Sequence, residues 1–332
     1  MRDPSFWWHP AGVAAMALAP IAALYGAVAA YRMERRGKTA GVPLICVGNL
    51  TLGGAGKTPT ALAVGRILIN AGHKVFFLSR GYGGSAAGPL QVDAARHGAT
   101  DVGDEPLLLA RFAPTIVSRN RVAGAEMACA LGASVIVMDD GFQNPSLTKN
   151  FSLVVVDGTR GIGNGHVFPA GPLRAPLDSQ LHHAHALLII GTPSVFCEVA
   201  IAAARQHGIP VLQGWLKVEA ETLSALKGIR ALAFAGIGNP EKFYATVAEA
   251  GIVAPVTQSF PDHHRYTRAE AEALVARAAR DNLVLLTTEK DLVRLARDPN
   301  TAALAKAARA LPVTMQLDDE DALRQLLARA MA

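Results

Sequence analysis

The sequence predicts an α/β protein: a domain built on a parallel sheet, a second and smaller α/β domain, and a membrane helix at the N-terminus. Three observations carry this. From residue 43 onward, short Val/Ile/Leu runs alternate with longer helical patterns, as strands buried on both faces of a parallel sheet do. A glycine-rich loop ending in Lys57-Thr58 sits between a candidate strand and a candidate helix. Ala11 to Ala30 contains no charged residue.

That uncharged run is twenty residues long, roughly 30 Å of helix and about one hydrocarbon core. Phe6, Trp7 and Trp8 precede it, and Arg32, Arg35, Arg36 and Lys38 follow it. Aromatics at one interface and a basic cluster at the other are the expected anchors, and the basic cluster places the following chain in the cytoplasm. A cleaved signal is disfavoured, because the leading segment carries only Arg2, offset by Asp3. A buried helix and a helix lying in the interface are the other readings, and Pro20 together with the alanine-rich composition keeps the last one open.

Composition narrows the class. The 332 residues are 51% hydrophobic and 18% charged, with net charge +5. The positive excess is too mild for a nucleic-acid protein and lacks an aromatic–basic repeat, so no nucleic acid is expected. It suits contact with anionic lipid or phosphorylated substrates. Cys46, Cys129 and Cys197 are widely spaced and form no metal or disulfide framework.

Candidate strands in the first series are Pro43–Val47, Val75–Ser79, Thr115–Val117, Ser134–Met138, Leu153–Val156 and Ala186–Ile190, with helices over Thr60–Asn70 and Val122–Leu131. A second series comprises strands Ala231–Ala235, Val256–Ser259, Val284–Thr287 and Val313–Leu317, with helices through Pro240–Ala250 and Arg268–Arg280. The stretch Leu212–Lys227 separates them. The expected organisation is an anchor and basic flank over residues 1–38, a main domain over 39–220, and a closing domain over 221–332.

Gly48-Asn-Leu-Thr-Leu-Gly-Gly-Ala-Gly-Lys-Thr58 reads as a P-loop and makes the main domain P-loop NTPase-like. Backbone amides of Gly53, Gly54, Ala55 and Gly56 would turn toward the phosphates of ATP. Lys57 would reach the β- and γ-phosphates, and the Thr58 hydroxyl would ligate Mg2+, with Pro59 in the first helical turn. Thr51 stands where the strict pattern has its first glycine, so the loop is a variant. Ser134–Asp140 is an apolar strand ending in two carboxylates, and Asp139 or Asp140 would hold the metal. Asp104 and Glu105 form a second acidic pair, which spacing alone reads as a helix cap. Asp262-His263-His264 could support a general base, although spacing cannot pair His263 with Asp104. Arg80, Arg119, Arg121, Arg160 and Arg174 each follow a strand or a Gly/Pro-rich stretch, where phosphate would bind.

Taken together, these blocks closely resemble the tetraacyldisaccharide 4′-kinase family, the lipid A 4′-kinases. The resemblance rests on Val47 to Pro59, Ser79-Arg-Gly-Tyr-Gly83, Gly103-Asp-Glu-Pro106, Asp139-Asp-Gly-Phe-Gln143, Asn164-Gly165, Pro169 to Arg174, Phe260-Pro-Asp-His263 and Thr287-Thr-Glu-Lys-Asp291, in family order along most of the chain. It implies transfer of the ATP γ-phosphate to the 4′-hydroxyl of a tetraacyldisaccharide 1-phosphate, giving lipid IVA at the cytoplasmic face of the bacterial inner membrane, with no obligatory protein partner. It implies Asp104 as base with His263 assisting and Lys57 catalytic. It adds Glu105 to Thr58, Asp139 and Asp140 around the metal, and places Arg80, Arg119, Gln143, Asn164 and Arg174 beside the substrate. Asn144 stands where the family usually has His, and Ala55 where it often has Thr. The alternative is a membrane-tethered P-loop ATPase or nucleotide switch that acts through a protein partner; it does not explain the Asp104 and His263 blocks.

Overall fold

The structure is a computed structural model and describes residues 3–253 and 256–331; Arg2 lies outside them. Two sheets organise the chain. The larger has nine strands in the order β13-β8-β7-β6-β1-β5-β2-β4-β3. In chain order these are β1 (Leu44–Asn49), β2 (Val75–Ser79), β3 (Leu90–Gln91), β4 (Thr115–Val117), β5 (Val135–Asp139), β6 (Phe151–Asp157), β7 (Ala186–Ile190), β8 (Val211–Val218) and β13 (Val313–Leu317). All pairings are parallel except β3–β4 and β8–β13 at the two edges. The smaller sheet is parallel, in the order β10-β9-β11-β12. Its strands are β9 (Ala231–Ala235), β10 (Val256–Ser259), β11 (Val284–Thr287) and β12 (Arg309–Ala310).

The apolar runs become central strands for the expected reason. β1, β2, β5, β6 and β7 are buried at every position. Alternate side chains feed two layers. Cys46, Leu78, Met138, Val156 and Leu187 pack on one face. Val47, Phe77, Val137, Val155 and Leu188 pack on the other, with Leu323 and Leu327 of the last helix. β1 lies between β5 and β6, and the chain runs away from it on both sides. The crevice at its carboxyl end is therefore the place where such sheets take ligands.

The chain departs from the expected division at its end. Val313–Leu317, grouped by sequence with the second series, pairs antiparallel with β8, and the helix Glu320–Met331 covers the large sheet. Residues 313–331 thus return to the first layer. Leu212–Lys227 is not a separator either: it contains most of β8 and the short helix Ala220–Leu226. β8 carries polar and half-buried positions, because it lies next to the edge, and this hid it from a search for apolar runs.

Gly48 shows how tightly β1 is built. A methyl group there would collide with Phe142 of the Asp-Asp-Gly-Phe block. Gly48→Ala is expected to destabilise the fold by about 1–3 kcal/mol through overpacking, read as a lower denaturant midpoint; an unchanged midpoint would mean that Phe142 is free to move aside.

The apolar N-terminal segment forms α1 (Val13–Met33). By length and composition it can cross a membrane, with mean hydropathy 2.0 over its apolar window. It is nonetheless docked on the body. Ala15, Ala22, Gly26 and Met33 are buried, with Gly26 packing against Val167 and Pro176. Val13, Met16, Ile21, Leu24, Val28 and Tyr31 face outward. Trp7 donates its indole N–H to the Pro169 carbonyl at 3.1 Å and meets Phe168 edge-on, tying the leading segment to the 158–173 loop.

Candidate active site

The P-loop joins β1 to α2 (Lys57–Asn70). Gly56 caps α2 in the left-handed region (φ 93), which favours glycine, and a Cβ there would also press on Ile190 Cδ1 at 2.6 Å. Thr51, the departure from the strict pattern, bridges to Leu173 instead of turning. Leu52 N donates to Pro172 O, and Arg174 N to Leu50 O. Asn49 Nδ2 donates to the Thr51 carbonyl at 2.7 Å and Arg174 Nε to the same oxygen at 2.9 Å. The variant loop is held by this second strand of chain, and Thr51 needs no special backbone freedom.

Thr58 Oγ1 donates to Asp139 Oδ2 at 3.2 Å, while Asp139 Oδ1 is buried without a partner. Burial and the nearby Glu105 carboxylate push Asp139 up to about 7, against the pull of Lys57. A hydroxyl and an unpartnered buried carboxylate oxygen at the end of β5 are the hard oxygen donors that magnesium takes. Asp140 does something else. It adopts φ 54, and its carboxylate pairs with Lys57 at 3.5 Å and with both ends of the Arg174 fork at 2.8 and 3.3 Å. Burial opposes its charge, but Lys57 and Arg174 prevail and hold it well below the usual carboxylate range. Arg121 Nη2 donates to the Asp140 carbonyl at 3.0 Å, fixing the turn. Asp140 is therefore a partner of cations in this arrangement, and Asp139 is the carboxylate that keeps an unpartnered oxygen.

The second acidic pair opens the helix Asp104–Ala110, entered through Gly103 at φ 87. Glu105 N donates to Asp104 Oδ1 at 3.0 Å, but Gly103 is the N-cap and Asp104 the first helical residue, so the capping read from spacing is not seen. The other oxygen of Asp104 faces the second lobe: His263 Nδ1 lies 3.4 Å from Oδ2, and Arg294 grips the same oxygen. Burial would raise the Asp104 pKa, but His263, Lys290 and Arg294 hold it well below the ordinary value. The reciprocal effect lifts His263 above its usual range, chiefly through its hydrogen bond to Asp104 and against burial. His263 has φ 53, and its N–H donates to the Gly236 carbonyl at 3.0 Å. Its ring lies 5.1 Å from the Tyr82 ring, centroid to centroid. Glu105 pairs with Lys290 at 2.7 Å, so the expected metal role is not one this arrangement displays.

These groups surround one cleft of about 1040 Å³. The P-loop, Asp139, Arg80, Gln143, Arg174 and His263 line it. Asp104 is only 3% exposed and stands behind His263, so the imidazole, not the carboxylate, faces the cleft. Two expected substrate residues are elsewhere. Arg119 is exposed and reaches the Gly84 and Ser85 carbonyls at 3.5 Å, while Arg121, two positions on, lines the cleft. Asn164 bonds the Phe6 and Ala170 carbonyls, bracing the leading segment. Gln143 does double duty, lining the cleft and donating to Asn49 O at 2.7 Å.

Sequence reasoning missed three contributors. Tyr25, Ala29 and Arg32 bring α1 into the cleft wall. The loop around Gly238 lies over the P-loop, with its ideal Cβ position 3.4 Å from Gly54 N. Arg294 and Lys290 lie one turn apart on the helix Glu289–Leu295, and that i,i+4 basic spacing after Thr287-Thr-Glu-Lys-Asp291 was a readable signal.

Known proteins resemble the chain along nearly its whole length. The family model for Tetraacyldisaccharide-1-P 4′-kinase (LpxK) matches residues 14–332. A tetraacyldisaccharide 4′-kinase of Nitrobacter winogradskyi is 50% identical over 332 residues, covering 100% of this chain and 98% of that protein. One from Methylobacterium radiotolerans is 54% identical over 335 residues, covering 100% and 99%. The crystal structure of the "apo" form of LpxK from Aquifex aeolicus in complex with ATP shares the fold, with TM-score 0.72 at 24% identity over 96% of this chain and 99% of that one. With a family model spanning nearly its whole length and relatives at half identity end to end, the chain belongs to the tetraacyldisaccharide-1-P 4′-kinase family.

Proposed function

We propose that this protein transfers the γ-phosphate of ATP to the 4′-hydroxyl of a tetraacyldisaccharide 1-phosphate. The observation that carries the reading is the convergence on one cleft of the P-loop, the Asp139 carboxylate with its unpartnered buried oxygen, and His263 backed by Asp104. Its relatives' names supply the acceptor, and the ATP complex of the Aquifex aeolicus protein supports ATP as donor.

Phosphoryl transfer needs positioning and charge compensation more than covalent chemistry. Lys57 and the P-loop amides would cradle the β- and γ-phosphates. Arg174, Arg121 and Arg80 would face the phosphates of nucleotide or lipid. Asp139 and Thr58 would hold magnesium, which offsets negative charge on the transferring group. His263, kept by Asp104 with Nδ1 inward, would present Nε2 to the sugar hydroxyl and take its proton. The new bond joins the 4′-oxygen to the γ-phosphorus; the bond from that phosphorus to the bridging oxygen breaks, and ADP leaves. The two lobes meet over this cleft, and we assign residues 39–220 and 313–331 to the nucleotide lobe and about 221–312 to the closing lobe.

The N-terminal helix would place the cleft at the cytoplasmic face of the inner membrane, its outer apolar face in lipid and its basic flank at the headgroups. Ile21 and Leu24 are 59% and 70% exposed. Ile21→Glu with Leu24→Glu should release the protein from anionic phospholipid vesicles in a flotation assay, since each charge opposes insertion by up to about 2.5–3.5 kcal/mol. Unchanged flotation would mean that this face does not meet lipid. The reaction itself is tested by ADP release that depends on added lipid disaccharide: release at the same rate without the lipid would favour an ATPase.

A further inference from the structure

We propose that Arg294 is a positioning residue for phosphoryl transfer, fixing Asp104 of one lobe against His263 of the other; this rests on the kinase reading above. The Arg294 side chain is 8% exposed. On its own lobe it is braced twice: Nη1 donates to Asp291 Oδ1 at 2.8 Å and to the Gly236 carbonyl at 2.6 Å. Asp291 is fully buried and is itself fixed, accepting from Tyr266 Oη at 2.9 Å, Thr288 Oγ1 at 2.7 Å and Gly236 N at 3.1 Å. From this frame the guanidinium crosses the lobe boundary. Nε donates to Asp104 Oδ2 at 2.9 Å, and Nη2 binds the same oxygen.

Two features make this more than an inter-lobe ion pair. Arg294 Nη2 also lies 3.4 Å from His263 Nδ1, so one guanidinium touches both members of the pair. The His263 backbone N–H hangs on the same Gly236 carbonyl that Arg294 grips. The position of the imidazole and the position of the carboxylate are therefore set from one planar group. Lys290, one turn earlier, holds Glu105 at 2.7 Å, so the same helix face secures the residue beside Asp104 as well. A lysine at 294 could keep the charge, but it lacks the planar fork that binds a carboxylate and a carbonyl at once while lying against the imidazole.

The test compares full-length wild type with Arg294→Lys, Arg294→Gln and Arg294→Ala in ATP-dependent phosphorylation of the lipid disaccharide. Melting temperature and ATP binding are measured alongside. A positioning role predicts a fall in kcat of about 10- to 100-fold in all three variants, as for groups that orient a reacting group. ATP affinity should stay near wild type. Guanidinium at sub-denaturing concentration should restore part of the Arg294→Ala rate and none of any other variant's. Unchanged kcat in Arg294→Lys and Arg294→Gln would overturn the inference. So would losses that follow melting temperature and ATP affinity together, without guanidinium rescue. Absence of transfer by folded, ATP-binding wild type would instead refute the reaction, and the inference with it.

Discussion

Replacing His263 by Ala is expected to lower kcat by about 10²–10⁴-fold, the usual worth of a positioned general base, while ATP still binds. The residue faces the cleft and is held through Nδ1 by the buried Asp104. The sign of the pH dependence follows from the pair. The hydrogen bond that His263 donates to Asp104 raises His263 above its ordinary 6.5. Transfer needs the neutral imidazole, so the rate should climb with pH through a value above 6.5. Asp104→Asn removes the cause of that rise, so the acid limb should move to lower pH even as kcat falls. The same pairing stabilises the fold below pH 6.5, and that contribution is lost as pH rises through the raised value. An acid limb that stays in place in Asp104→Asn would show that another group controls it.

Asp139→Asn is expected to cost about 10²–10³-fold in rate, on the scale of losing one preorganised electrostatic group, and to abolish the pH dependence of magnesium affinity. In the wild type, burial and Glu105 push Asp139 up to about 7. The metal must then displace a proton at lower pH, so affinity should weaken by up to about tenfold per unit below 7. Stability runs the other way. An acid with a raised folded-state pKa is favoured neutral, so its contribution declines as pH rises from 3.8 through about 7. Asp139→Asn should therefore melt no lower than wild type at neutral pH without metal. A large fall in melting temperature, or unaltered magnesium titration, would contradict the assignment. Performing the His263 pH profile at saturating magnesium separates the two groups, because Asp139 is then held ionised.

Much of this architecture is legible in the residues. β2, β4, β7 and β9, buried at every position, begin and end where the apolar runs predict, because strands buried on both faces announce themselves by composition; β10 and β11 also keep their expected bounds. β8, next to the edge, does not, since most of its positions are half-buried or exposed. β13 is visible as a strand, yet its partner lies nearly a hundred residues back, and no local pattern encodes which sheet it joins. The site divides in the same way. Lys57, Thr58 and the Asp139–Asp140 pair could be located because strand, loop and helix fix them locally, but spacing does not say which carboxylate stays unpartnered. Asp104 reads as a cap from spacing, yet it is the first residue of its helix and Gly103 is the cap. The face of Asp104 toward His263 and Arg294 exists only after the lobes pack. Arg119 and Arg121 illustrate the limit, for two arginines in one strand-end motif point to different places, and only Arg121 reaches the cleft.

The central claim is a single chemical event, and product analysis tests it most directly. Full-length protein in mixed micelles would be given ATP, magnesium and a tetraacyldisaccharide 1-phosphate, and the lipid product examined by mass spectrometry and phosphorus NMR. The account predicts one added phosphate on the 4′-oxygen in wild type and almost none in His263→Ala or Asp139→Asn. Unmodified lipid from a folded wild-type protein that consumes ATP, or phosphate added elsewhere on the disaccharide, would contradict it.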